Sequence, residues 1–127
     1  MAKKVFIIED DVNILYSLQA KFRVEGYDLM IANGLEKEEI VIENISKFKP
    51  DFVVLDLILP RIDGFGLIAK LKEKFPKTKV FVFTNLSDKD SEERGVKLGA
   101  DYYLFKNHLN IDEFVEKVNK ILSNTKK

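Results

Sequence analysis

The sequence predicts an α/β domain, a parallel sheet covered by helices on both faces. Three observations carry this. Short apolar runs alternate with amphipathic runs five times along the chain, the pattern of repeated strand–helix units. The runs Val5-Phe6-Ile7-Ile8 and Phe52-Val53-Val54-Leu55 are apolar at every position, as strands buried on both faces are. The 127 residues fit one domain with a single sizeable core. No repeat, low-complexity segment or linker divides the chain, and crossovers are expected to be right-handed. We therefore read residues 1–127 as one domain. Its core runs from about residue 4 to about residue 122, followed by a short basic tail.

Each element follows from its residues. Val5-Phe6-Ile7-Ile8 is the first strand. Ile14, Leu15, Leu18 and Phe22 then recur at helical spacing, and Gly26 ends that helix. Tyr27 to Ala32 is the second strand, closed by the Asn33-Gly34 turn signal. Val41, Ile45 and Phe48 share one face of the second helix, which stops before Pro50; the region Leu35 to Lys49 reads as slightly long. Phe52 to Leu55 is the third strand, and Leu59 to Gly64 is a loop. The third helix buries Leu67, Ile68, Leu71 and Phe75 and ends at Pro76. Val80-Phe81-Val82-Phe83 is the fourth strand. Ser87, with Asp90 three residues on, reads as a capping box for the fourth helix. That helix has only Val96 and Leu98 as apolar residues from Asp88 onward, and Gly95 is expected to interrupt it. So little apolar surface predicts a loosely held element, suited to a switch. Tyr102 to Phe105 is the fifth strand. Ile111, Phe114, Val115, Val118 and Ile121 form the stripe of the last helix. The end, Ser123 to Lys127, is expected to fray.

Composition excludes several function classes. The 21 basic and 21 acidic residues cancel, so bulk charge points to neither nucleic acid nor membrane. There is no cysteine, hence no disulfide and no thiolate metal site. The single histidine, His108, argues against a histidine-rich metal site or a Ser-His pair and is read as a loop residue. No apolar stretch reaches the length of a signal peptide or a membrane span, so the expected compartment is the cytoplasm. The lysines at 70, 72, 74, 77 and 79 are read as a solvated face, because Glu73 and apolar residues interrupt them.

In an open α/β sheet, ligands bind beyond the carboxyl ends of the strands. Glu9, Asp10 and Asp11 follow the first strand here, Asp56 the third, Thr84 and Asn85 the fourth, and Lys106 the fifth. If the first, third, fourth and fifth strands are neighbours, these residues share one edge. Clustered carboxylates raise one another's pKa unless a cation joins them, and hard oxygen donors without His or Cys favour Mg²⁺. Carboxylates with a metal, a lysine and a hydroxyl suit phosphoryl transfer. Asp56 is then the nucleophile, since carboxylates form aspartyl-phosphates. Read one at a time, these residues are bland. Asp56 could be a turn residue and Thr84 a strand end. Tyr103 could be a surface ring and Lys106 a solvated cation. Asp11 reads as an N-cap rather than a ligand.

Four segments in order resemble the bacterial two-component response-regulator receiver domain, and the likeness covers nearly the whole chain. They are Phe6 to Asp11, Pro50 to Gly64, Val80 to Thr84 and Leu98 to Lys106. The resemblance implies a flavodoxin-like (βα)5 fold with sheet order 2-1-3-4-5. It implies that Asp56 takes a phosphoryl group from a histidine kinase or phosphotransfer protein. Asp10 would bind Mg²⁺ directly and Glu9 through water. Asp56 would be a further ligand, as would the backbone carbonyl of Ile58. Thr84 and Lys106 would contact the phosphoryl group, and Tyr103 takes the aromatic switch position. The chain would be a phosphoacceptor that assists its own phosphorylation and autodephosphorylation rather than an enzyme. It would act as a stand-alone domain, a monomer or a phosphorylation-dependent dimer. It would signal to a downstream protein through its fourth helix, fifth strand and fifth helix, with no nucleic acid or membrane contact.

Departures from that pattern define rival readings. Asn107 replaces the proline that usually follows the lysine. That makes the state of the Lys106–Asn107 bond a question and keeps a degenerate, phosphorylation-independent binding module as an alternative. Asn85 is bulkier than the small residue usual after the threonine, which would tighten donor access. Ile58 and Leu86 flank the site with apolar groups and predict a long-lived phosphoryl group. An aspartate-nucleophile phosphohydrolase usually needs an acid two residues after the nucleophile, where Ile58 stands. A flavin-binding flavodoxin needs a hydroxyl- and glycine-rich loop after the first strand, which is absent.

Overall fold

The computed structural model describes residues 2–124. Five strands alternate with five helices: β1 (Lys4–Ile8), α1 (Val12–Val24), β2 (Asp28–Ala32), α2 (Glu38–Phe48), β3 (Phe52–Leu55), α3 (Gly64–Lys74), β4 (Lys79–Thr84), α4 (Lys89–Leu98), β5 (Tyr102–Phe105) and α5 (Ile111–Asn124). The strands form one parallel sheet in the order β2-β1-β3-β4-β5, the flavodoxin-like topology.

Successive strand residues point to opposite faces, so two apolar layers form. Val5, Ile7, Phe52, Val54, Phe81 and Phe83 pack with Leu15, Leu18 and Phe22 of α1 and Phe114, Val115 and Val118 of α5. Phe6, Ile8, Val53, Leu55, Val80 and Val82 pack with Val41 and Ile45 of α2 and with Leu67, Ile68 and Leu71 of α3. The α1–α5 layer is the aromatic one: Phe83 stacks on Phe114 with ring centroids 4.0 Å apart. Phe48 and Phe75, read as helix-face residues, are half-buried at the helix ends.

Some local expectations change. The cap of α4 is Asp88, whose carboxylate accepts from the Ser91 N–H at 3.0 Å; Ser87 lies one residue too early to reach that donor. Gly95 does not interrupt α4 but sits buried inside it. Ser123 and Asn124 belong to α5, while the rest of the tail lies outside the described residues. The region read as a long second helix gives an eleven-residue α2 preceded by a loop. That loop is tied by the Glu36 carboxylate, which accepts from the Asn33 and Gly34 N–H groups. Lys72 is not a solvated cation: its ammonium donates to Asp101, 2.9 Å away, and to the Thr78 carbonyl. Among the described residues, no helix is long and apolar enough to cross a membrane.

Candidate functional site

The site is assembled by hydrogen bonds that extend the sheet past its strands. The Glu9 N–H donates to the Ala32 carbonyl at 3.1 Å, that of Asp56 to Ile8 at 3.0 Å, and that of Lys106 to Thr84 at 2.9 Å. Backbone pairing thus fixes where the side chains of Glu9, Asp56 and Lys106 leave the same edge. Asp11 caps α1, its carboxylate accepting from the Ile14 N–H, and its own N–H donates to Glu9 Oε2 at 3.0 Å. The reading of Asp11 as a cap holds.

The expected residues come together. Carboxylate oxygens of Glu9, Asp10 and Asp56 lie within 4.8 Å of one another. Glu9 and Asp56 are buried, at 1% and 4% exposure, whereas Asp10 is open to solvent. The Lys106 ammonium lies between the two buried acids, 2.7 Å from Glu9 Oε1 and 2.8 Å from Asp56 Oδ2. The other Asp56 oxygen accepts from the Ile58 N–H at 3.1 Å. Ile58 also bridges to Asp63 across the loop, which fixes the backbone carrying the carbonyl expected at the metal. Among the described residues there is no cis peptide bond, so the Lys106–Asn107 bond is trans. The lysine nevertheless reaches both carboxylates.

One ammonium shared by two carboxylates leaves a net negative charge in a buried place. Burial pushes the Glu9 carboxyl up to about 7, against the hydrogen bond from Lys106 that works to lower it. Burial works the other way on Lys106, disfavouring its charge, but hydrogen bonds and charge from Asp56 and Glu9 outweigh this and raise its pKa. The two shifts have different leading causes: burial dominates at Glu9, and the paired carboxylates together dominate at Lys106. Three hard oxygen donors with surplus negative charge, one of them facing solvent, fit a divalent cation such as Mg²⁺.

Thr84 is fully buried, and its Oγ1 accepts from the Leu86 N–H at 3.3 Å. Tyr103 is not a surface ring. It is 7% exposed, and its hydroxyl donates to the Leu86 carbonyl at 2.7 Å. Burial first, then the charges of Asp88, Glu92 and Asp56, push that hydroxyl up to about 12, so it remains a proton donor at neutral pH. Leu86 therefore links Thr84 to Tyr103 through its backbone. Sequence reading saw Leu86 only as an apolar flank, because a backbone role leaves no mark on residue type. His108 lies in a loop, edge-on to Phe105.

Fold and site together define a doubly wound α/β domain with a cluster of three carboxylates and one lysine beyond its strands. The chain belongs to the response regulator receiver domain family, whose model matches residues 5–119. It is 32% identical to the sporulation initiation phosphotransferase F of Bacillus subtilis, over 96% of this chain and 95% of that protein. It is 34% identical to the probable transcriptional regulator ycf27 of Porphyridium aerugineum over 82% of this chain. The match spans only 42% of that regulator and 43% of another, the alkaline phosphatase synthesis regulator PhoP of Bacillus subtilis. The CheY-like receiver domain protein of Methanospirillum hungatei superposes with a TM-score of 0.86 at 25% identity, covering 98% of this chain and 96% of that one.

Proposed function

We propose that this receiver domain accepts a phosphoryl group on Asp56 from the phosphohistidine of a histidine kinase or phosphotransfer protein. The observation that carries the reading is the setting of Asp56: a buried carboxylate paired with Lys106 at one oxygen and with the Ile58 N–H at the other, inside a three-carboxylate cluster. An Asp56 oxygen attacks phosphorus, the P–N bond breaks, and its electron pair returns to the imidazole ring. Lys106 moves from carboxylate to phosphoryl oxygen, and Thr84 supplies a hydroxyl to a second oxygen. Glu9, Asp10, Asp56 and the Ile58 carbonyl would hold Mg²⁺, whose charge offsets that of the carboxylates and the phosphoryl group. The domain is a phosphoacceptor rather than an enzyme, and its output runs through α4, β5 and α5 to a protein partner. Apolar Ile58 and Leu86 place no side-chain base near attacking water, so the phosphoryl group is long-lived; rapid loss of label would contradict this. The trans bond at Asn107 leaves Lys106 in reach, so no observation favours a degenerate receiver.

The test is incubation with Mg²⁺ and acetyl phosphate, read by intact mass. One phosphoryl group is expected on the wild type and none on Asp56→Asn. A wild type that binds Mg²⁺ yet gains no mass would overturn the proposal.

A further inference from the structure

Gly95 is the one buried residue of α4. A glycine inside a helix costs roughly 1 kcal/mol relative to alanine, so its presence calls for a packing reason. The reason is on the adjacent strand. A Cβ at position 95 would lie 2.8 Å from Tyr103 Cε2 and 2.9 Å from Cδ2, inside the contact distance of carbon atoms. The absent side chain leaves a slot, and the Tyr103 ring fills it. The ring also meets Phe105 edge-on, with centroids 5.6 Å apart. Its hydroxyl reaches the Leu86 carbonyl, and the Leu86 N–H reaches Thr84 Oγ1. A continuous physical chain therefore runs from the backbone of α4 to the hydroxyl expected at the phosphoryl group. Each link is a short contact: glycine to ring, ring hydroxyl to carbonyl, and N–H to hydroxyl.

We infer that Gly95 is a positioning residue for the phosphoacceptor site: its slot seats Tyr103, and the seated tyrosine fixes the Leu86 turn that holds Thr84. The significance of Thr84 rests on the function proposed above, but the positioning itself does not. An alanine at 95 expels the ring, breaks the Tyr103–Leu86 hydrogen bond and frees the Thr84 turn. Arg94, stacked 4.2 Å over the Phe65 ring, ties the same turn of α4 to α3. Moving α4 away to accommodate a methyl group would disturb that contact.

The experiment follows the Leu86 and Thr84 amide resonances in metal-free, unphosphorylated protein, so failure of Asp56 to accept phosphate has no bearing on it. Tyr103→Phe, which removes only the hydroxyl, defines the shift that marks loss of the Leu86 hydrogen bond. Gly95→Ala is expected to produce the same displacement at Leu86 and Thr84. In a Tyr103→Ala background, Gly95→Ala is expected to move neither. A merely structural role for the glycine would perturb α4 and the melting temperature while leaving Leu86 and Thr84 in place, and that result overturns the inference. So does a further shift at Leu86 when alanine is added to the ringless background. If Gly95→Ala alone does not fold, Gly95→Ala with Tyr103→Ala is expected to fold, because the clash is gone. A double variant that also fails to fold overturns the inference.

Discussion

The two helices beside β5 are attached in opposite ways. α5 inserts Phe114, Val115 and Val118 completely into the aromatic layer, with Phe114 stacked on Phe83. α4 buries only Gly95 and leaves Val96 53% exposed. Its hold on the domain comes from the Tyr103 ring, the Arg94–Phe65 contact and the half-buried Leu98. Apolar burial scales with area and does not depend on direction, so α5 is fixed by bulk. α4 is fixed by a few directional contacts, and those can be exchanged for others at small cost. The difference teaches which of the two helices is the more loosely held: α5 is the frame, and α4 is the element expected to open first.

Truncating the α5 anchor tests this most severely. Phe114→Ala removes a fully buried ring and is expected to cost about 3–5 kcal/mol, measured by urea unfolding. A loss of the size expected for an exposed residue would erase the contrast between the two helices.

Next in size is a pH effect at the site, where charge rather than packing decides stability. Below pH 4.5 Glu9 is protonated in folded and unfolded chains alike, so its burial costs no ionisation energy. Between 4.5 and about 7 the unfolded chain ionises Glu9 while the folded chain does not, and stability falls as pH rises. Above about 7 the whole cost is present, at most about 3 kcal/mol for the gap between those values. In metal-free protein, Glu9→Gln is therefore expected to gain stability relative to wild type as pH rises from 4.5 to 7. A constant difference between the two across that range would show that Lys106 already compensates Glu9 fully.

These two regions were unequally legible in the sequence. The aromatic layer follows from apolar runs and their alternation, which residue type records directly, whereas the strand order followed only from the likeness to receiver domains. The site residues were legible for the same reason: Glu9, Asp10, Asp56, Thr84 and Lys106 are named by their positions at strand ends, and backbone pairing places them there. The attachment of α4 was not legible. Gly95 carries one signal in sequence, that of a helix breaker, and its actual role depends on a ring eight residues away on another element. The cap falls at Asp88 rather than Ser87, a shift of one residue that residue type does not record, because serine and aspartate are both good caps. Leu86 acts through its N–H and carbonyl, groups that every non-proline residue has.

Within α4 the contacts themselves can be ranked. Tyr103→Phe keeps the ring in the Gly95 slot but leaves the Leu86 carbonyl without its donor. The expected loss is about 1 kcal/mol, far below that of Phe114→Ala although both side chains are nearly buried. A larger loss would mean that the hydroxyl, rather than the ring, holds α4 in place.

The smallest effect gives the sharpest comparison. Val96 neighbours Gly95 in α4 but faces solvent, so Val96→Ala is expected to change stability by no more than about 0.5 kcal/mol. It removes a side chain that stays about half exposed after folding, and alanine is the better helix former, so the two effects nearly cancel. Amide exchange supplies the companion measurement: α4 should exchange by local opening well before α5, in wild type and in Val96→Ala alike. If Val96→Ala instead destabilised the domain as a core truncation does, α4 would be packed through its exposed face. The contrast between a frame built from area and a mobile element built from direction would then fail at the helix on which it depends most.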